Sequence, residues 1–152
     1  MNKNVVPIMS ALAVVATFSV AVLAQEMKPD RAIKYRQGIM QAIGWNIGVL
    51  GGMAKGEIPY NKEKAVRSAT FVSELSAMPF DGFVPVSSEG STKARPEIWT
   101  DKAKFDKLAE AMQAEMPKLV AAAQSGDVAQ LRPALSAVGK SCTSCHDDFR
   151  NK

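Results

Sequence analysis

The chain has 152 residues, which suits one domain and leaves no room for two sizeable hydrophobic cores. Its hydrophobic fraction of 47% and charged fraction of 22% fit a folded chain and exclude intrinsic disorder. The formal net charge is only +4, and no basic stripe is interleaved with aromatic residues, so no nucleic-acid partner is predicted.

Residues 1–24 are predicted to be a signal peptide. Lys3 precedes a long apolar run that ends in small residues at Ala24, a pattern typical of cleavage before Gln25 and of export. The alternative is an uncleaved anchor, because about twenty apolar residues just span a bilayer. After cleavage, residues 25–152 form the mature domain without stable membrane association, and loss of Lys3 lowers the net charge from +4 to +3.

After residue 25 the sequence predicts four helices, because apolar residues recur every three or four positions, as in the seam of a bundle. The helices begin at Pro29, near Asn61, at Thr100-Asp101 and at Asp127, where these residues suit a first turn or an N-cap. The fold class predicted is therefore an all-α helical bundle. The apolar seams are Ile33, Arg36, Met40, Ile43, Ile47 and Leu50; Val66, Ala69, Val72 and Leu75; Phe105, Leu108, Met112 and Leu119; and Val128, Leu131, Leu135, Val138, Cys142, Cys145 and Phe149.

Several residues predict where these helices bend or end. Pro117 is expected to kink the third helix, and Pro133 is expected to kink the fourth helix or mark its true start. Asp127 followed by Gln130 predicts a capping box at the fourth helix.

A row of glycines lies in the first helix, where Gly44, Gly48 and Gly52 recur every four residues. Each costs about 1 kcal/mol relative to alanine in a helix interior, so the row predicts a close backbone approach. The approach is to another helix of the same bundle or, as we favour, to a second subunit. The alternative is that the helix frays near Gly51 and Gly52.

The strongest chemical signal is Cys142-Thr143-Ser144-Cys145-His146, the attachment motif of c-type haem. Positions i, i+3 and i+4 of a helix lie on one face, so both thiols reach the two vinyl groups of one haem while the imidazole reaches the iron. His146 is the only histidine of the chain. The sequence predicts one covalent haem c per chain near the C-terminal helix, with His146 as axial ligand.

A zinc site, a redox dithiol and a structural disulfide fit the motif less well than haem does. A zinc site lacks a fourth soft ligand, and a thioredoxin-like dithiol would follow a strand at a helix N-terminus. A disulfide across one helical turn would constrain almost nothing. A haem-free dithiol protein is the remaining alternative, and no second titratable group with catalytic spacing accompanies the motif, so no enzyme is predicted.

Arg36 and the segment between Met78 and Trp99 stand out beside the motif. Arg36 occupies an apolar seam position, where an unpaired charge is costly, so a buried haem propionate is its expected partner. Alternatively, the helix rotates and Arg36 extends into solvent. Prolines and glycines make the segment an irregular loop of about twenty residues, which either covers a haem edge or forms a surface crossover.

Over its mature part the chain resembles the class II c-type cytochromes, specifically cytochrome c′. The resemblance rests on Lys34-Tyr35-Arg36-Gln37, on Ala94-Arg95-Pro96-Glu97-Ile98-Trp99, and on the haem motif followed by Phe149-Arg150. It implies an antiparallel four-helix bundle, of which cytochrome c′ is a standard example. It also implies a periplasmic homodimer that packs through its first two helices.

The resemblance implies roles for individual residues as well. Arg36 and Gln37 would contact the haem and its propionates, Met40 would lie over the open iron face, and Arg150 would flank the proximal side. The iron would be five-coordinate and high-spin, binding nitric oxide and carbon monoxide, since an apolar pocket does little for oxygen. Electron transfer with an unidentified redox partner is a further implied role.

Met40 opens an alternative function. Low-spin relatives in the same class use a first-helix methionine as sixth ligand, which raises the reduction potential and suits electron transfer. The alternative is therefore a low-spin electron carrier with His146 and Met40 both on the iron. By composition, Met53, Met78 and Met112 are further candidate ligands, unless all four methionines only fill the core.

Overall fold

The computed structural model describes residues 28–152. Its helices are α1 (Pro29–Lys55), α2 (Lys62–Leu75), α3 (Glu97–Thr100), α4 (Lys102–Ala114), α5 (Met116–Ser125) and α6 (Val128–Phe149). Two short 3₁₀ helices, Met78–Gly82 and Pro85–Ser87, lie between α2 and α3. None of the helices within residues 28–152 is long and apolar enough to cross a membrane. The predicted signal peptide lies outside the described residues.

The long helices form a closed ring. α1 packs on α2, α2 on α5, α4 and α5 on α6, and α6 returns to α1. α4 and α5 follow one another and together take the place of the third helix. The predicted all-α, antiparallel four-helix bundle is confirmed.

Apolar side chains from the predicted seams meet inside this ring. Leu50, Val72 and Leu131 are at most 1% exposed, and burial of such side chains stabilises the fold by roughly 1.5–3 kcal/mol each. We call the ten buried residues of this region the bundle core. They are Leu50, Met53, Ala65, Ala69, Val72, Met116, Leu119, Ala123, Leu131 and Val138.

The capping prediction is right at α2 and only half right at α6. Asn61 Oδ1 accepts a hydrogen bond from the backbone N–H of Lys64 at 2.8 Å, and Asp127 Oδ1 accepts one from Ala129 at 2.8 Å. The second hydrogen bond of the predicted capping box is not formed. The N–H of Asp127 donates to Ser125 Oγ at 3.1 Å rather than to the side chain of Gln130. Ser125 ends α5 only two residues before Asp127, so its hydroxyl reaches this N–H across the turn at Gly126.

Pro117 breaks the third helix instead of kinking it. α4 ends at Ala114 and α5 begins at Met116, so that Pro117 lies in the first turn of a new helix. There its missing N–H leaves no hydrogen bond unmade, and its ring meets no preceding turn. The alternative that Pro133 marks the true start of the fourth helix is also wrong, because α6 begins at Val128 and continues through Pro133.

α1 does not fray at its glycines. It continues to Lys55 and ends where Gly56 adopts a left-handed conformation with φ of 80°. The N–H of Gly56 donates to the carbonyls of Gly52 and Met53, which closes the helix in the manner of a glycine C-cap. The alternative of fraying near Gly51 and Gly52 is therefore wrong.

The connection between α2 and α3 is held at both ends. Near its start Gly82 lies against α1, where a Cβ atom on this residue would come within 2.9 Å of the carbonyl oxygen of Ala32. Near its end Ala94 forms an antiparallel bridge with Arg150, and the N–H of Arg95 donates to the carbonyl of Phe149 at 3.0 Å. The connection thus joins α1 to the end of α6, and it is more regular than predicted.

Replacing Gly82 by Ala should destabilise the protein by about 1–3 kcal/mol, because the added methyl collides with backbone that cannot move cheaply. Denaturant unfolding of the haem-loaded protein measures the change. Gly139→Ala is the matched control, since a Cβ at Gly139 meets nothing within 4 Å. That variant should be neutral or up to about 1 kcal/mol more stable. Equal stability of Gly82→Ala and wild type would contradict the close approach.

Candidate functional site

The three residues of the predicted attachment site lie together on the last turns of α6. Cys142 and Cys145 are half-buried and free of disulfides, and His146 is exposed at the helix end. The hydroxyls of Thr143 and Ser144 donate back to the carbonyls of Gly139 and Lys140, at 3.0 and 3.1 Å. Helical spacing therefore separates an outward polar face from an inward face with both thiols.

The two cysteines face different apolar clusters. Cys142 packs against the bundle core, whereas Cys145 packs against a second group, which we call the aromatic cluster. At its centre, the ring of Phe105 lies edge-on to Phe83 and Phe149, with ring centres 5.0 and 5.3 Å apart. A flat group bonded to both thiols would lie where the two clusters meet. The aromatic cluster consists of Ile98, Phe105 and Phe149, with Phe80, Phe83, Ala94, Trp99, Leu108 and Cys145 packed against them.

Burial sets the protonation of the three groups. It raises the pKa of Cys142, and it raises the pKa of Cys145 to about 11, with smaller contributions from Cys142 and Asp148. Both thiols are thus uncharged at neutral pH. Partial removal from water lowers the pKa of His146, and the charge of Arg150 lowers it further. The imidazole is therefore neutral at neutral pH, with a lone pair free for a metal.

Arg36 is buried and only 3% exposed, so the alternative that it extends into solvent is wrong. Its Nη1 donates to the carbonyl of Gly82 at 2.8 Å and to Ser87 Oγ at 2.6 Å. Its Nη2 donates to the carbonyl of Ser87 at 3.0 Å and to Thr92 Oγ1 at 2.9 Å. All four terminal N–H groups are therefore used by the connection, and only the Nε–H is left for another partner.

The guanidinium of Arg36 also lies among aromatic rings. Its Cζ is 4.5 Å from the centre of the Phe83 ring and 5.9 Å from that of Trp99. Burial lowers the pKa of Arg36 from its usual value, although a guanidinium stays charged at neutral pH. The charge thus lies on the edge of the aromatic cluster.

The remaining predicted site residues lie around this region. Gln37 is exposed, and its Nε2 donates to the carbonyl of Ser91 at 2.9 Å. Met40 is half-buried and belongs to neither cluster. Arg150 follows α6 and, with His146 and Lys93, lines a cavity of about 220 Å³. Met53 and Met112 contact the bundle core and Met78 is 40% exposed, so Met40 is the methionine placed outside the core on α1.

Sequence reasoning missed the partners of Arg36. Gly82, Ser87 and Thr92 come from the connection, where no period marks which residues turn inward. Trp99 stands out in the sequence only as part of a motif, yet its Nε1 is buried and has no hydrogen-bond partner. A polar residue on an apolar seam was the signal that something in the chain must meet Arg36.

The donor set fits a haem. Two uncharged thiols lie on the inward face of α6 next to apolar side chains, a neutral imidazole follows at the exposed helix end, and the cluster around Cys145 holds a buried unpaired N–H. In residues 28–152, no cluster of three or more His, Cys, Asp or Glu side chains is arranged to hold a metal ion by itself. A four-helix bundle with this motif at the end of its last helix defines a class II c-type cytochrome.

Comparison with known proteins identifies the family. The family model for cytochrome c′ matches residues 31–150. A cytochrome c′ of Alcaligenes xylosoxydans xylosoxydans is 39% identical over 128 residues, which is 84% of this chain and 99% of that protein. The chain therefore belongs to the cytochrome c′ family, and its cofactor is covalently attached haem c.

Solved structures agree. Cytochrome c′ from Rubrivivax gelatinosus superposes with a TM-score of 0.78 at 37% identity, covering 82% of this chain and 98% of that one. The nitric oxide complex of a cytochrome c′ mutant from Alcaligenes xylosoxidans gives a TM-score of 0.77 at 39% identity, covering 82% and 98%.

Proposed function

We propose that this chain binds nitric oxide and carbon monoxide at the iron face opposite His146, on a haem bonded to Cys142 and Cys145. The observation that carries the proposal is the end of α6, where two uncharged thiols lie beside apolar side chains and the neutral imidazole of His146 follows at the exposed helix end. The similar protein solved as a nitric oxide complex supports it. The haem supplies the iron to which the gas binds.

The attachment itself is tested by replacing each cysteine. Cys142→Ser and Cys145→Ser should each leave one vinyl group unreacted, so the α band in alkaline pyridine moves to longer wavelength than in wild type. The double variant should lose its haem to acidified organic solvent. Ser144→Ala is the matched control and should behave as wild type, because its hydroxyl bonds only within α6. An unshifted band in both single variants would contradict the assignment.

Met40 is proposed to line the gas-binding face without ligating the iron. Its side chain has no N–H or O–H group to stabilise bound oxygen, which favours nitric oxide and carbon monoxide. His146 is the only histidine, so within one chain a methionine is the main competitor for the sixth position. The iron is then five-coordinate and high-spin.

Carbon monoxide distinguishes this proposal from the low-spin alternative. The reduced wild-type protein should show a high-spin spectrum that changes on addition of one carbon monoxide per haem, since the sixth position is open. Met40→Leu should bind with an affinity within about tenfold of wild type, a difference below roughly 1.4 kcal/mol.

Met112 provides a control for Met40. Met112→Leu changes a residue that packs against the bundle core and should leave the spectrum as it is. A low-spin wild type that ignores carbon monoxide, together with a Met40→Leu variant that binds it, would establish Met40 as the sixth ligand.

Arg36, Gln37 and Arg150 are proposed to surround the haem. Arg36 would face a propionate with its charge and its free Nε–H, while its terminal N–H groups hold the connection in place. Gln37, bonded to Ser91 at 2.9 Å, would contact the haem from the same helix. Arg150 would lie on the haem face that His146 occupies, since both residues line the same cavity.

We also propose that the chain is a homodimer that packs through α1. A Cβ atom at Gly44 or Gly48 would meet nothing within 4 Å, and one at Gly52 would meet only the side chain of Ile58, at 3.3 Å, in the turn after α1. The glycine row therefore approaches no other helix of the described bundle. The alternative of an approach within the bundle is therefore wrong. Trp45, between two of these glycines, is 76% exposed, which leaves a large apolar ring beside an open groove.

Gly48→Glu should weaken this dimer at least tenfold, roughly 1.4 kcal/mol, because it puts a charge into the contact. Light scattering or sedimentation over a range of protein concentrations measures the dissociation constant. Gly139→Glu is the control, since Gly139 is an exposed helical glycine on α6 that also meets nothing within 4 Å. A wild type that stays monomeric, or variants that dissociate equally, would exclude α1 as the interface.

The cellular place is proposed from the sequence and the family. Residues 1–24 would direct export and be removed after Ala24, and residues 25–152 would work in the periplasm. This location suits a gas-binding protein because nitric oxide and carbon monoxide are uncharged and cross membranes freely.

A further inference from the structure

Two polar groups near α6 lack the partners that burial ordinarily demands. Trp99 Nε1 is buried and has no hydrogen-bond partner among residues 28–152. Arg36 is 3% exposed, and no carboxylate of residues 28–152 forms a salt bridge with it. The four oxygens that bind its terminal N–H groups belong to carbonyls and hydroxyls, which carry only partial charge.

The two groups lie next to each other beside the aromatic cluster. Arg36 Cζ is 5.9 Å from the centre of the Trp99 ring, and the Phe83 ring lies against both. Trp99 belongs to the same aromatic cluster as Cys145. A haem bonded to Cys145 would therefore lie against the same cluster as Trp99, with its propionates at the edge away from the thioether bonds.

One carboxylate would satisfy both groups. An indole N–H needs an acceptor, and a buried guanidinium needs a negative charge. Two acidic residues lie equally near Trp99 in sequence, and both are exposed and already engaged. Glu97 pairs with Arg95 at 2.6 Å, and Asp101 caps α4 by accepting a hydrogen bond from the N–H of Lys104 at 3.3 Å. Haem c carries two propionate carboxylates, and a propionate directed to this place would meet the charge of Arg36 and the N–H of Trp99 together.

We propose that Trp99 Nε1 donates a hydrogen bond to a haem propionate that also neutralises Arg36. Trp99 is thus a cofactor-binding residue. The hydrogen bonds from Arg36 to the connection hold the guanidinium beside Trp99 before the haem is attached. The proposal depends on the attached haem and not on gas binding, so it is tested on ligand-free ferric protein.

The chain offers a matched control, because Trp45 and Trp99 are its two tryptophans. Trp99→Phe keeps an aromatic ring and removes the donor, whereas Trp45→Phe changes a residue that is 76% exposed. Resonance Raman spectra excited in the Soret band report the propionate bending modes, which move to lower wavenumber when a hydrogen bond is lost. We expect this shift in Trp99→Phe and none in Trp45→Phe.

A second measurement observes the donor directly. In the haem-loaded Trp45→Phe protein, Trp99 is the remaining tryptophan, and ultraviolet resonance Raman reports the hydrogen bonding of its indole N–H. We expect a strongly bonded indole whose N–H exchanges slowly in D₂O. An unbonded indole in this protein would overturn the proposal even if Trp99→Phe fails to fold or to retain haem.

Either of two results would overturn the proposal. One is a Trp99→Phe protein with unshifted propionate modes, which would mean that the indole bonds to water or to no acceptor. The other is an unbonded Trp99 indole in the haem-loaded protein. Loss of carbon monoxide binding in a protein with the expected Raman shifts would instead count against the proposed function alone.

Discussion

The structure depends on the helical period of α6 at its C-terminal end. A spacing of three residues places Cys142 and Cys145 on one inward face, yet one turn of rise directs them to different apolar clusters. The bundle core therefore ends, and the aromatic cluster begins, at the residues of the attachment motif. The bridge from Ala94 to Arg150 then fastens the connection to the same end of the helix. Both clusters and the motif are held by one element.

Arg36 extends this organisation to α1. Burial of a charge is costly, and four hydrogen bonds to the connection offset part of the cost without supplying a negative charge. The connection can reach Arg36 only because Gly82 has no side chain to collide with α1. The resulting arrangement holds a positive charge rigidly at the edge of the aromatic cluster. Such preorganisation suits an anionic group of a cofactor better than a flexible surface arginine would.

The sequence predicted the helices and the haem motif, which follow from regular spacing, and missed the features that depend on contacts between distant residues. The seams of α1, α2 and α6 follow from periodicity, because burial on a helix is periodic, and the motif follows from fixed spacing. The break at Pro117 and the cap from Ser125 depend on how two helix ends meet, and no local pattern encodes that. The contact of Ser87 with Arg36 joins residues 51 positions apart, so only the folded chain reveals it. The haem-binding roles of individual residues stay predictions.

The glycines show that one residue type serves opposite purposes in this chain. At Gly82 a side chain would strike the carbonyl of Ala32, so the glycine permits a contact within the molecule. At Gly44 and Gly48 a side chain would meet open space, although the two cost α1 about 2 kcal/mol relative to alanine. Nothing in the described bundle offsets that cost. A second subunit packed against α1 would offset it, because the bare backbone and the exposed ring of Trp45 gain their contacts only there.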